Sequence, residues 1–381
     1  MTKKILIVAG EPSGDLHASN LVKDLKRLYP DIRFFGLGGS MSKEAGVDVI
    51  YDIAALALIG LVEVLRNIFT VGRVFKKVLS AVDTERPDLA ILVDYPGFNL
   101  RLAKELKKRS IPVVYYISPQ VWAWGMDRVK SIKKCVDKVI CLFKFEEAFY
   151  KTYGIDAEFI GHPLLDTVKV TAGRGETLEK HSLNEDKLTV AILPGSRTNE
   201  VRSLLPAMLG AAMITNLKLP ETQFIVVKHP DLPSGLYRKM LRYSSINIRL
   251  SDGDAYNVLG ASDFAFVASG TATLETAIIG TPLAITYKVN LLTYLVYKMV
   301  SKTRFIGIVN IIAGREIVPE LLQFRATAKN LAEAALNILT SEENRSSTIE
   351  ELKQVRNSLG SPLARERAAK AVLPFLTTPK I

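Results

Sequence analysis

The chain has 381 residues, more than one comfortable hydrophobic core, so two domains are expected. Hydrophobic residues make up 48% and charged residues 23%, which excludes a disordered or collagenous chain. The formal charge of +11 favours an anionic partner, a membrane surface, a nucleic acid or a phosphorylated substrate, and the two cysteines, Cys135 and Cys141, lack metal-type spacing and suit a reducing compartment.

Residues 1–5 run straight into a strand, with no signal-peptide core ahead of it. No uncharged apolar run reaches about 18 residues, so any membrane contact is expected to be peripheral. Residues 4–9 read as a buried parallel strand, with Ile5, Leu6, Ile7 and Val8 in succession. Gly10-Glu11-Pro12-Ser13-Gly14-Asp15 follows, then a helix over 16–29 that Asp15 or Ser13 can cap. The loop is not G-x-G-x-x-G, so it carries no dinucleotide fingerprint. Glu11, beside Ser13 and Asp15, has the chemistry to hydrogen-bond sugar hydroxyls. Further strands are predicted at 33–35, 89–93, 112–117 and 138–141, with helices between them, including 100–108. This alternation predicts α/β architecture: a parallel sheet covered on both faces, with ligands at the carboxyl ends of its strands.

Between the second and third of these strands, residues 54–62 are apolar and uncharged. A helical pattern continues from there. Leu61, Leu65, Ile68 and Phe75, with Phe69 among them, hold apolar positions, and Arg66, Arg73 and Lys77 hold another face. Two readings stand: a helix in a membrane interface, or a core helix of the domain.

Asp94-Tyr95-Pro96-Gly97-Phe98-Asn99 ends the strand at 89–93. A carboxylate at the end of a buried parallel strand is costly unless paired or used, which makes Asp94 a candidate general base. Asp88, ahead of the strand, is a second candidate whose plainer reading is a capping residue after Pro87. Ser118-Pro119-Gln120-Val121-Trp122-Ala123-Trp124-Gly125 holds both tryptophans in one post-strand loop. Aromatic faces with Gln120 between them suit a sugar; the alternative is a satellite hydrophobic cluster.

A last strand and exit turn are read at 153–163, and a hinge at 163–187. His162, before Pro163, falls at that boundary. The pattern then restarts. Residues 188–193 form a strand, Pro194-Gly195-Ser196-Arg197 a turn, and 200–215 a helix. Gly195 and Ser196 bring free N–H groups to a helix start, and Arg197 adds a planar fork, so the turn reads as a diphosphate seat. Strands follow at 223–227, 246–250, 264–268 and 283–287. The loop Ser269-Gly270-Thr271-Ala272-Thr273-Leu274-Glu275 is a second anion seat, with Ser269, Thr271 and Thr273 as hydroxyls and Glu275 placed to accept ribose hydroxyls. Two such seats in one domain fit a nucleotide diphosphate. Residues 290–314 are again apolar and aromatic, as core or as a membrane-facing patch, and Asn310 starts a polar cluster behind a strand-like run. The tail, 327–376, is helical with a break at 358–362. No basic face interleaved with aromatics is present, so no nucleic-acid partner is expected.

These stretches together resemble the lipid-A-disaccharide synthases. The resemblance runs through residues 10–15, 94–99, 118–124, 159–163, 194–197, 269–275 and 310–316, in order, over nearly the whole chain. It implies a GT-B glycosyltransferase fold, two Rossmann-like domains facing across a cleft, with C-terminal helices crossing back or exchanged in a dimer. The implied boundaries are an acceptor-binding and membrane-facing domain at 1–165, a UDP-sugar domain at 166–355 and a tail at 356–381. It implies inverting transfer of 2,3-diacylglucosamine from its UDP derivative to 2,3-diacylglucosamine 1-phosphate (lipid X), giving a β-1,6 disaccharide and UDP. Neither metal nor cofactor is expected. The enzyme would be cytoplasmic and peripheral on the inner membrane, against an anionic surface, with a homodimer among the expectations. Asp94, Glu11 and Asp88 become the catalytic candidates. Gly195, Ser196, Arg197, Ser269, Gly270, Thr271, Thr273, Glu275 and Asn310 are expected at UDP; Ser13, Asn99, Gln120, Trp122, Trp124 and His162 at the acceptor. The family pattern often places a second aspartate, taken as the base, where this chain has Gly97. That leaves Asp94 or Glu11 for the role. The alternatives are a polyprenyl-linked N-acetylglucosaminyltransferase, which the loop at 118–124 argues against, and a UDP-sugar epimerase, which would need no apolar surface.

Overall fold

The computed structural model describes residues 2–53, 68–122, 126–242, 246–289, 294 and 304–377. Two compact units share the chain: Met1–Pro163 with Leu359–Ile381, and Leu164–Ser358.

The first unit is a parallel sheet of β1 (Lys3–Ala9), β2 (Ile32–Gly38), β3 (Val47–Asp52), β4 (Leu89–Val93), β5 (Val113–Tyr116), β6 (Lys138–Cys141) and β7 (Ala157–Phe159). Its order is β3-β2-β1-β4-β5-β6-β7. The pleat sorts side chains into two cores. Leu6 and Val8 face α3 (Ile68–Glu85), α4 (Pro96–Lys108), α5 (Asp127–Cys135) and α6 (Lys144–Thr152). Ile5, Ile7 and Ala9 face α1 (Pro12–Leu28) and the returning tail helix at Ala364–Val372. Both faces are covered, so β1 and β4 read as unbroken apolar runs rather than alternating ones. Strand β3 and the short α2 (Ser40–Glu44) went unread in the sequence: β3 is an edge strand with only Val47 buried.

The second unit repeats the plan with β8 (Thr189–Leu193), β9 (Gln223–Lys228), β10 (Ile248–Asp252), β11 (Phe264–Ala268), β12 (Leu283–Tyr287) and β13 (Glu320–Leu322). The order is β10-β9-β8-β11-β12-β13, again parallel. Its helices begin with α7 (Leu164–Thr167), α8 (Arg174–Lys180), α9 (Thr198–Lys218), α10 (Ser234–Leu241), α11 (Ala255–Gly260), α12 (Thr271–Ile279) and α13 (Ile308–Ala313). The last two are α14 (Ala328–Leu339) and α15 (Glu342–Ser358); α16 (Ala364–Val372) and α17 (Pro374–Thr377) then return to the first unit.

Four expectations change. Helix α1 begins at Pro12, earlier than the predicted 16, because proline is tolerated in a first helical turn. Asp15 does not cap that helix; its buried carboxylate accepts from Gly39 N at 2.7 Å, Met41 N at 3.2 Å and the Ser42 hydroxyl, fixing the start of α2. The strand-like run before Asn310 holds no strand among its described residues, and its last residues, from Ile308, begin helix α13. The interfacial reading of the 61–75 stripe also fails at Phe75. That ring packs edge-on against Phe98 at 5.3 Å, and Val74, Val78 and Val82 of the same helix are buried in the core. Phe69 is 83% exposed. Leu61 and Leu65 lie outside the described residues, and for Ile68 only the backbone in α3 is described.

Candidate active site

Each sheet reverses its strand order at one point, and a ligand crevice opens there at the carboxyl ends. In the first unit that point lies between β1 and β4, which pair directly from Ile5–Leu89 to Ala9–Val93. Glu11 follows β1 and Asp94 follows β4, so the switch point brings the two carboxylates together. Glu11 is exposed at the N-cap of α1. Burial pushes the Asp94 carboxyl up to about 6, the neighbouring Glu11 charge adds to the rise, and the Tyr95 backbone N–H opposes it. An acid poised there is ionised at neutral pH yet basic enough to take a hydroxyl proton.

The turn that carries Asp94 is strained and braced. Asp94 and Tyr95 sit at φ 46° and 45°, left-handed values that cost side-chain residues about 1–3 kcal/mol each. The Asn99 amide donates to the carbonyls of Asp94 at 2.8 Å and Val93 at 3.1 Å, and the Tyr115 hydroxyl donates to the Asp94 carbonyl at 2.5 Å. Tyr95 lies over Gly10 so closely that a Cβ there would fall 2.2 Å from its ring, and it stacks on Phe98 at 5.8 Å. Fully buried Asn99 is therefore a brace of this turn rather than an acceptor ligand. Asp88 is corrected as well. It precedes β4, at the opposite end from Asp94, where it accepts from Lys4 N at 2.9 Å and pairs with Lys3 at 3.9 Å.

Ser13 is exposed in the first turn of α1, and Gln120 is exposed in the loop after β5. Trp122, in that loop, is partly buried and donates its indole N–H to Glu146 at 3.1 Å. Trp124 lies outside the described residues. His162 is buried against Phe143 at 5.2 Å between ring centres; burial, then His17, holds its imidazole down at about 4, so it is neutral. Sequence reasoning missed Tyr95, Tyr115 and Glu146. Tyr95 acts through the packing of its ring and Tyr115 through one hydroxyl, and Glu146 sits in an ordinary amphipathic helix, so no local pattern marks them.

In the second unit the reversal lies between β8 and β11. A cavity of about 750 Å³ opens over the ends of β8, β9, β10 and β11. Gly195, Ser196, Arg197, Ser269, Gly270, Thr271 and Glu275 all line it. Gly195 has φ +120°, which a side chain would resist, and a Cβ there would meet Glu200 at 2.7 Å. Glu200 is itself unexpected. Its carboxylate accepts from Ser196 N at 3.0 Å, Arg197 N at 3.2 Å and Arg197 Nη1 at 2.9 Å, filling the first anion seat. The second seat, at the start of α12, is open: a Cβ added at Gly270 would meet nothing within 4 Å. Glu275 lies beside it, accepting from the Tyr256 hydroxyl at 3.0 Å, with its carboxyl pushed up by burial against that bond. Buried Lys228 donates to the carbonyls of His229, Pro230 and Leu232 and so shapes the cavity rim.

Two predicted UDP residues are not at this cavity. Thr273 is buried, its hydroxyl donating to Gly270 O at 2.8 Å. Asn310 is fully buried and its amide is saturated, donating to Val318 O and Glu320 and accepting from the N–H groups of Ile317 and Val318. Both shape the backbone rather than meet a ligand.

A profile of the family described as lipid-A-disaccharide synthetase matches residues 5–373. The lipid-A-disaccharide synthase of Syntrophus aciditrophicus is 46% identical over 379 residues, 98% of each chain. That of Myxococcus xanthus is 40% identical over 373 residues, covering 98% of this chain and 97% of its own. Among solved structures, the calicheamicin glycosyltransferase CalG4 aligns at TM-score 0.62 and 15% identity, over 99% of this chain and 100% of its own. A UDP-GlcNAc 2-epimerase from Neisseria meningitidis, bound to UDP-GlcNAc, aligns at TM-score 0.62 and 12% identity, over 97% of this chain and 100% of its own. At such identities these two establish the fold alone: two Rossmann-like domains of the GT-B class.

Proposed function

Because the chain belongs to the lipid-A-disaccharide synthase family, and is therefore a glycosyltransferase of lipid A biosynthesis, we propose that it joins UDP-2,3-diacylglucosamine to 2,3-diacylglucosamine 1-phosphate. In this reading the first unit binds the acceptor and the second the UDP-sugar. Asp94 takes the proton of the acceptor 6-hydroxyl as its oxygen attacks the sugar C1 from the face opposite UDP. The C1–O bond to the diphosphate breaks, the configuration inverts, and UDP leaves. The α12 N-terminus and Arg197 supply positive charge to the leaving diphosphate without a metal. Glu275 accepts the ribose hydroxyls. The observation that carries the assignment is Asp94, a partly buried carboxyl that follows β4 at the sheet's switch point beside Glu11, with burial pushing it up to about 6. The test offers purified protein both lipid substrates in detergent with EDTA. UDP release with a disaccharide product is expected; no product under those conditions would overturn the assignment.

We also propose that the protein works on the cytoplasmic face of the inner membrane. Both substrates carry acyl chains, and no described helix is long and apolar enough to cross a bilayer. Phe69 projects from the start of α3, and Arg73 and Lys76 are exposed on the same helix. An apolar residue with basic neighbours suits an anionic interface. Phe69→Ser is expected to weaken binding to phosphatidylglycerol vesicles in a folded protein, and unchanged binding would refute this surface. A homodimer remains part of the proposal and is read by sedimentation.

A further inference from the structure

Glu146 is a carboxylate that capping alone does not explain. At the third position of α6 it accepts from the Phe143 backbone N–H at 3.3 Å, the ordinary duty of a glutamate there. That duty needs no burial, yet Glu146 is 3% exposed, and burial pushes its carboxyl up to about 7. Burying such a group is costly unless a second partner uses it. Its other oxygen accepts the Trp122 indole N–H.

The same helix holds the Trp122 loop a second time, as the Tyr150 hydroxyl donates to Pro119 O at 2.8 Å. The loop leaves β5 through Ile117 at φ 63°, an unfavourable value for a β-branched residue, so it needs such ties. Trp122 meets Phe145 edge-on at 5.0 Å, Phe145 stacks on Phe143 at 5.5 Å, and Phe143 meets His162 at 5.2 Å. One row of rings thus links the aromatic loop to the exit turn of the unit, and the buried carboxyl sits beneath its outer end.

We propose that Glu146 is a positioning residue that locks the Trp122 side chain, and with it the stretch from Pro119 to Trp122 after β5, into the shape that receives the sugar acceptor. The proposal rests on the acceptor assignment of that loop. Glu146 touches no reacting atom; it acts through Trp122.

The chain has two tryptophans, so its ¹⁵N–¹H spectrum holds two indole signals, and the one absent from Trp122→Phe belongs to Trp122. Glu146→Ala is expected to shift that signal and speed its exchange with solvent. The KM for 2,3-diacylglucosamine 1-phosphate should rise about tenfold or more, the worth of one hydrogen bond to a carboxyl group, with the donor KM and kcat near those of the parent. Glu146→Gln keeps an acceptor for the indole and should restore both. It also remains usable if the alanine variant fails to fold. Trp122→Phe keeps an aromatic ring and loses the indole donor, so adding Glu146→Ala to it should raise the acceptor KM little further. An unmoved indole signal in folded Glu146→Ala overturns the lock. A displaced indole with an unchanged acceptor KM overturns the acceptor assignment of the loop and the proposal with it.

Discussion

Replacing Glu11 by glutamine separates the two carboxylates at the β1–β4 switch point. Asp94 is raised to about 6 by burial first and by the Glu11 charge second. With a base near 6, the ionised share is about ten-elevenths at pH 7 and about one-eleventh at pH 5, so kcat/KM should fall about tenfold across that interval. Glu11→Gln removes one cause of the rise and leaves burial intact. The acid limb should therefore move to lower pH, by up to about one unit, the size of a single close charge interaction. Asp94→Asn should lower kcat about 10²- to 10⁴-fold and abolish the limb in the residual rate. The assay is initial-rate UDP release from pH 4.5 to 8 at saturating donor. A limb that stays in place in Glu11→Gln would refute the coupling. Near-normal turnover in Asp94→Asn, with an inactive Glu11→Gln, would move the base to Glu11.

Because the folded protein holds the Glu146 proton more tightly than an ordinary carboxyl near 4.5, its protonated form contributes stability at low pH that is lost as pH rises through about 7; urea unfolding should show about 3 kcal/mol of this loss, absent in Glu146→Gln. Parallel profiles for parent and variant would contradict it. Glu200→Ala should free the Ser196 and Arg197 donors for a diphosphate and tighten UDP about tenfold by calorimetry; weaker binding would mean that the carboxylate orders the turn rather than competes for it. Gly97→Asp has open space at its Cβ and enters the first turn of α4, so Tm should hold or rise slightly, and a fall of several degrees would expose a hidden clash. Phe75→Ser, unlike Phe69→Ser, should cost about 3 kcal/mol in denaturant unfolding, since it empties a contact with Phe98.

The alternation of strand and helix was legible because β1, β4, β8 and β11 are buried on both faces and read as continuous apolar runs. The two loops that line the cavity of the second unit were legible for a related reason: glycine and small hydroxyl residues follow β8 and β11 directly. Partners across the fold were not. Glu146 meets Trp122 from 24 positions away, and Asp15 serves a helix that begins 25 residues after it. Neither spacing has a period. Asn310 misled because an amide in a polar cluster looks the same whether it faces a ligand or saturates a backbone turn. Phe75 misled because an apolar stripe does not say which surface covers it.

Residues from Leu359 onward close the first unit, and this sets the order in which the chain can fold. Ala364, Ala368, Ala369, Val372 and Leu376 pack into the same core as Ile5, Ile7 and Ala9. A ribosome therefore releases the second unit as an uninterrupted stretch, free to fold at once, while the first waits with one sheet face covered only in part, by α1. The contact of Arg365 with Asp24 that helps to close the first unit spans 341 positions, the slow end of folding topologies. During that wait the apolar side chains of β1 and β4 on that face lack part of their cover, which makes them open to aggregation at a stage that no change at Asp94 or Glu11 would affect.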